Sequence, residues 1–184
     1  MSHSRSIGIV GLGNVLMGDD AFGPWVIQVL LAEHVFAEGV AVSDLGTPGL
    51  DLVPWVTNVG ALILVDTVRA DAPPGTIRLY RRDEILKHPP QARLTPHDPG
   101  LKEALLTAEF AGQAPAEVLL VGAVPERTEM GVGLSPAVRG AVGPAVVEVL
   151  RELERLGRPA TRRDTPLTPQ TWWEEPGAEE RPES

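Results

Sequence analysis

Four short apolar runs that carry almost no charge constrain the fold of this chain most strongly. They are rich in valine, leucine and isoleucine, and they span residues 7–12, 40–45, 61–65 and 118–124. Strands that helices cover on both faces have this composition, because neither face meets water. A fifth run at 76–80 alternates apolar and polar residues, which is typical of a half-exposed strand.

Segments with helical spacing of apolar residues separate these runs, at 22–30, 101–108 and 138–156, and a shorter helix is expected at 50–56. Pro144 falls inside the longest of these stripes, so that helix is expected to kink or to restart there. Strands that alternate with helices predict a three-layer α/β/α fold around a mostly parallel sheet. The functional site of such a fold is expected at the carboxyl edge of its strands.

The composition divides the chain and excludes several classes of function. Residues 1–157 carry the periodic pattern and are predicted to form one domain, whereas residues 158–184 are rich in proline and charge and are interpreted as a flexible tail. A net charge of −9 opposes nucleic-acid binding, and no apolar run is long enough to predict a membrane span. The lack of cysteine excludes thiolate ligands and a cysteine nucleophile, and is compatible with the cytoplasm.

The segment GLGNVLMGDDAFG follows the first run and contains part of a nucleotide-binding fingerprint. Gly11 and Gly13 match the first two glycines of G-x-G-x-x-G, but Leu16 stands at the third position. Asp19 and Asp20 lie where a pyrophosphate would sit, and two carboxylates there would repel it. The acids instead have two interpretations: they complement the dipole of the following helix, or Asp20 takes part in chemistry.

Two more candidate residues are expected at the same edge. Asp66 ends the apolar run LILVD, and a carboxylate buried there needs a pairing partner, a hydrogen bond or a metal; a salt bridge with Arg69 is the structural alternative. His97 directly precedes a predicted helix, although a lone histidine in a loop is more often inert. Together with Asp20, these residues form a set of two oxygen ligands and one nitrogen ligand that suits a divalent ion with open positions.

Taken together, these segments resemble the [NiFe]-hydrogenase maturation protease family. The first motif is close to the family's G-[IVL]-G-N-x-[LY]-x-x-D-[DE]-[AG]-x-G, and DLGTPGLDL resembles its D-x-G-T box. The segment VGAVPERTEMGVGLSPAVRGAV is similar to the family's late strand, Gly-Leu-Ser-Pro turn and final helix. The resemblance covers about residues 7–157.

The resemblance implies a twisted five-stranded sheet and a metal-dependent, site-specific endopeptidase. Its substrate would be the large-subunit precursor of a [NiFe]-hydrogenase, which loses a C-terminal extension after nickel insertion. The family's metal-contacting positions fall on Asp20, Asp66 and His97, and Asp20 stands where many members carry glutamate. Asp44 in the D-x-G-T box is implicated in activity or substrate recognition. Nickel is expected to arrive with the precursor, and other divalent metals are expected to bind the same residues.

Three questions stay open at the level of the sequence. The attacking water is activated by the metal or by Asp20 or Asp66 acting as a base. The chain is a protease or, alternatively, a non-catalytic checkpoint or chaperone that binds the nickel-loaded large subunit. A nucleotide-binding protein is the third hypothesis, and it depends on Gly11 and Gly13 alone.

Overall fold

The computed structural model describes residues 6–48, 52–57, 59–87 and 100–174 of the 184-residue chain. The strands are β1 (Ile7–Leu12), β2 (His34–Val35), β3 (Val40–Gly46), β4 (Ala61–Thr67), β5 (Ile77–Arg81), β6 (Glu117–Ala123) and β7 (Thr161–Arg162). The helices are α1 (Phe22–Glu33), α2 (Leu52–Thr57), α3 (Arg82–Lys87), α4 (Leu101–Phe110) and α5 (Pro136–Arg155). Two 3-10 helices, Gly18–Ala21 and Trp172–Glu174, complete the described elements.

The central sheet has five strands in the order β3-β1-β4-β6-β5. Its first four strands are parallel, and β5 pairs antiparallel with β6 at the edge. The prediction of a mostly parallel sheet is therefore confirmed. Strands β1 and β4 are buried along their whole length, whereas β5 is mostly exposed, as its alternating sequence predicts.

Helices cover both faces of the sheet and form the three predicted layers. On one face, Ile9, Val65 and their neighbours pack against α1 and α5. On the other face, Val10, Leu64 and their neighbours pack against α2, α3 and α4. Because alternate residues of β1, β4 and β6 enter opposite cores, these runs have no polar face. The expectation that β3 is covered on both faces is wrong, because this edge strand has no fully buried residue.

Helix α5 continues through Pro144, so the predicted alternative of a restart at that residue is wrong. Ala141, Val142, Ala145 and Val146 are buried on either side of the proline, and this packing offsets the backbone hydrogen bond that proline cannot donate. No helix in the described part of the chain, α5 included, is long and apolar enough to cross a membrane.

The segment 158–174 packs against the domain, so the prediction of a flexible tail is wrong for these residues. Strand β7 pairs with β2, and the Leu167 N–H donates to the Ala32 carbonyl over 2.9 Å. Trp173 is only 1% exposed and meets Trp25 edge-on, with ring centroids 6.3 Å apart. Burial of this one large aromatic side chain offsets the polar composition of the segment around it. Residues 175–184 lie outside the described part of the chain.

Candidate active site

Asp20 and Asp66 lie at the carboxyl edge of the sheet, as the sequence predicts. Asp20 belongs to the 3-10 helix Gly18–Ala21, which connects β1 to α1, and Asp66 is the penultimate residue of β4. Strands β1 and β4 are parallel neighbours, so their carboxyl ends meet at one edge. Both side chains are buried, with exposed fractions of 8% and 2%. Buried carboxylates at a strand end need polar partners.

The glycine-rich turn after β1 folds back onto Asp20. Gly13 has a φ of +136°, and a Cβ there would overlap the Asp20 carbonyl oxygen. The Asn14 side-chain oxygen accepts a hydrogen bond from the Leu16 N–H over 3.0 Å, which stabilises the turn locally. The Asn14 N–H donates to Asp20 Oδ2 over 2.8 Å. The Asp20 carboxylate thus accepts the hydrogen bond of a turn N–H that would otherwise be available to a bound phosphate.

Gly11 serves a different purpose from Gly13. Its φ is not positive, but a Cβ there would lie 2.5 Å from Cγ1 of Ile27 and 2.7 Å from the Gly23 carbonyl oxygen. The absence of a side chain therefore lets α1 approach β1 closely. This close approach sets where the 3-10 helix, and with it Asp20, meets the end of the sheet.

Thr67 bridges the two carboxylates. Its hydroxyl donates to Asp20 Oδ1 over 3.2 Å, and its N–H donates to Asp66 Oδ1 over 2.7 Å. Burial raises the pKa of Asp66 well above its usual range, and the nearby charge of Asp20 raises it further, although the Thr67 N–H bond acts in the opposite direction. Since the charge of Asp20 disfavours the ionised form of Asp66, a cation placed between the two carboxylates would stabilise that form.

Asp44 lies at the same edge but on the far side of β1 from Asp66. In β3 it pairs in register with Gly11, and two strand spacings place it roughly 10 Å from β4. Its side chain is exposed, and its Oδ1 accepts a hydrogen bond from the Gly46 N–H over 2.9 Å. Neighbouring atoms partly desolvate the Asp44 carboxyl and so raise its pKa, although the hydrogen bond from the Gly46 N–H acts in the opposite direction. The structure thus places Asp44 at the rim of the candidate site, and its predicted role in catalysis or recognition stays a prediction.

His97 lies outside the described residues. Helix α4 begins at Leu101, with Gly100 as its N-cap. Within the described ranges, no three histidine, aspartate or glutamate side chains lie close enough together to hold a metal ion. The ligand set of Asp20, Asp66 and His97 therefore stays a prediction.

Asp19 has a role that the sequence does not predict. Asp19 lies in the first turn of the 3-10 helix, but its side chain does not cap α1, whose N-cap is Ala21. Asp19 is fully buried, and its Oδ2 accepts hydrogen bonds from the N–H groups of Glu126 and Arg127 over 2.8 and 2.9 Å. Ser135 donates its N–H to Oδ1 over 2.6 Å and its hydroxyl to Oδ2 over 3.0 Å. Asp19 therefore ties the 3-10 helix to the loop that follows β6.

Comparisons with known proteins identify the family. The family model described as hydrogenase maturation protease matches residues 24–152. The chain belongs to the hydrogenase maturation protease family. The Hydrogenase 2 maturation protease of Escherichia coli is 31% identical over 160 residues, which cover 85% of this chain and 95% of that protein. The hydrogenase expression/formation protein HoxM of Azotobacter vinelandii is 36% identical over 157 residues, 85% of this chain and 76% of that protein.

Solved structures of this protease family share the fold. The hydrogenase maturating endopeptidase HybD from Escherichia coli superposes with a TM-score of 0.78 at 31% identity, over 86% of this chain and 98% of that one. The [NiFe] hydrogenase maturation protease HybD from Thermococcus kodakarensis gives a TM-score of 0.62 at 25% identity, over 80% and 98% of the two chains. The resemblance inferred from the motifs is therefore confirmed, and the family is one of hydrogenase maturation endopeptidases.

Proposed function

We propose that this chain is an endopeptidase that removes the C-terminal extension of a [NiFe]-hydrogenase large-subunit precursor once nickel has been inserted. The observation that carries the proposal is the pair of buried carboxylates, Asp20 and Asp66, joined through Thr67 at the carboxyl edge of the sheet. Membership of the protease family supplies the reaction class. The paired acids supply a reason for the site to recognise a cation.

Nickel enters this proposal as part of the substrate, carried by the precursor. Two carboxylate oxygens from Asp20 and Asp66 and one imidazole nitrogen from His97 suit a borderline divalent ion and leave positions for the precursor's own groups. A cation between the acids would favour the ionised form of Asp66, whose pKa the Asp20 charge raises. Other divalent metals are expected to bind the same three residues.

Two arrangements of the hydrolytic step fit these residues. In the first, the cation positions the precursor and activates the water that attacks the scissile carbonyl. In the second, Asp20 or Asp66 accepts the proton of that water as a general base. In both, Thr67 keeps the carboxylate of Asp20 oriented beside Asp66.

Asp44 is proposed to contact the precursor. It is exposed at the rim of the site, so a docked polypeptide can reach its carboxylate. The chain contains no cysteine, which is in keeping with action in the cytoplasm.

A cleavage assay with two forms of the precursor tests the proposal. The purified chain is incubated with nickel-loaded and with nickel-free precursor, and the mass of the large subunit is followed. We expect a loss of mass from the C-terminus with the nickel-loaded form alone. Unchanged mass together with a stable complex would favour the non-catalytic checkpoint, and equal cleavage of both forms would refute recognition of nickel.

Variants assign the site within the same assay. Asp20→Asn and His97→Ala are each expected to abolish cleavage while the circular dichroism spectrum stays that of the wild type. Asp71→Asn, in the exposed loop after β4, is the matched control and should cleave normally. Wild-type rates in either site variant would remove that residue from the proposed site.

A further inference from the structure

A groove of about 290 Å³ opens just beyond the carboxyl ends of β4 and β6. Residues 69–70, which follow β4, line one wall, and residues 124–129, which follow β6, line the other. Most of the lining is polar, with side chains of both charges: Arg69 and Arg127, and Glu126 and Glu129. Neither the family match nor the proposed carboxylate site accounts for this groove.

Both walls belong to segments that also carry the candidate site. Arg69 follows Asp66 by three positions, so the Cα atoms of the two residues lie at most about 11 Å apart. The second wall is hydrogen-bonded to Asp19, the immediate neighbour of Asp20. The groove is therefore an extension of the same edge of the sheet.

The second wall is fixed rigidly to the helix that bears Asp20. Besides the four hydrogen bonds that the Asp19 side chain accepts, the Asp19 N–H donates to the Arg127 carbonyl over 3.0 Å. The Gly18 N–H donates to the Gly131 carbonyl over 2.7 Å, and the Gly131 N–H donates to the Leu16 carbonyl over 2.9 Å. Any shift of this wall would break the partly buried hydrogen bonds that Glu126 and Arg127 donate to Asp19, the residue beside Asp20.

We propose that this groove binds a short extended stretch of the precursor polypeptide beside the scissile bond, and that Asp19 is the positioning residue that holds its far wall. This inference rests on the proposed function. The mixed charges favour a polar stretch of polypeptide over a drug-like small molecule, whose pockets are mostly apolar. The two glutamates offset the two arginines of the lining, so the groove carries no net positive charge that would select a phosphate-bearing ligand.

Steady-state cleavage of nickel-loaded precursor tests the groove itself. Ala70→Trp fills the groove, and Glu129→Lys reverses one of its charges. Each is expected to raise KM at least tenfold while kcat stays within twofold, because the groove binds polypeptide and does not touch the reacting atoms. Glu154→Lys makes the same charge change in the last turn of α5, where Arg155 pairs with Glu117 at the start of β6, and should leave both constants unchanged.

A double variant tests the positioning role of Asp19. Asp19→Asn preserves the size of the side chain but replaces one of its two acceptor oxygens with an NH₂ donor, which would face the donors of Glu126 and Ser135. Because this weakens the hold on the far wall, KM is expected to rise. Because Ala70→Trp already fills the groove whose far wall Asp19 holds, adding it should raise KM by less than the product of the single effects. A fully multiplicative effect would overturn the role of Asp19.

The two proposals fail in different ways. If the wild type shortens the precursor but Ala70→Trp and Glu129→Lys keep its KM, the groove does not bind substrate and the proposed function stands. If the wild type leaves the precursor intact, the proposed function is wrong, and the assignment of the groove is wrong with it.

Discussion

Replacing Glu152 with glutamine tests how charge stabilises this fold at a place remote from the candidate site. Glu152 lies on α5, is 4% exposed, and accepts hydrogen bonds from both arginines beside it. Arg81 of β5 donates over 2.5 and 2.9 Å, and Arg155 donates over 2.9 and 2.7 Å. Burial opposes ionisation of Glu152, but the hydrogen bonds from Arg155 and Arg81 outweigh it and lower its pKa to about 2.

The size and sign of the effect follow from this pKa. The fall from 4.5 to about 2 corresponds to about 3 kcal/mol of stability, at 1.36 kcal/mol for each pKa unit. Both arginine side chains are 45% exposed, so solvent screening reduces the expected contribution to about 1–2 kcal/mol. Because the folded-state pKa lies below the unfolded one, this contribution is present above pH 4.5 and is lost as the pH falls toward 2.

Urea unfolding of wild type and Glu152→Gln across pH 7 to 2.5 measures this contribution. We expect the free energy of unfolding of the variant to be lower by about 1–2 kcal/mol at pH 7, and the difference to shrink below pH 4.5. Glu148→Gln, which removes an ion pair with the exposed Arg151, is the control and should change stability by less than about 0.5 kcal/mol. A difference that is absent at pH 7, or that stays constant down to pH 2.5, would refute the reasoning.

Three further substitutions probe the packing and the site. Gly11→Val should lower the melting temperature by several degrees in calorimetry, because its side chain would overlap Ile27; a wild-type melting temperature would contradict this close packing. Trp173→Ala should cost about 3–5 kcal/mol in denaturant unfolding, whereas an unchanged midpoint would show that the segment 158–174 adds no stability. Thr67→Val removes the hydroxyl that orients Asp20, so kcat for precursor cleavage should fall while stability changes by only about 1 kcal/mol; an unaltered kcat would show that this bond is dispensable.

The sheet was predictable from sequence because its three central strands, β1, β4 and β6, are almost wholly buried, and because β5 at one edge alternates apolar and polar residues. Both ends of each predicted run lie within two residues of the corresponding ends of an observed strand, and the run 7–12 coincides with β1. The packed segment 158–174 was not predictable, since its anchor, Trp173, depends on a contact with Trp25 on α1. A tertiary contact between residues so far apart in sequence leaves no local pattern.

The candidate site was predictable in part. The topology of parallel strands brings Asp20 and Asp66 to one edge, so their proximity followed from their places after two apolar runs. The roles of Thr67 and Asp19 did not follow, because their partners lie 47 and 116 residues away in the chain. Ser135 of the Gly-Leu-Ser-Pro turn is also the N-cap of α5, and a serine followed by a proline signals that role in the sequence. Nothing in the local sequence signals its hydrogen bonds to Asp19.

The central claim is that Asp20 and Asp66 act together on a nickel-loaded precursor. Its most direct test is the single-turnover rate of C-terminal shortening by Asp66→Asn, measured by intact-protein mass spectrometry beside the wild type and the Asp71→Asn control. The account predicts a loss of at least a hundredfold for Asp66→Asn and none for the control, with both variants folded. A wild-type rate in folded Asp66→Asn would contradict it.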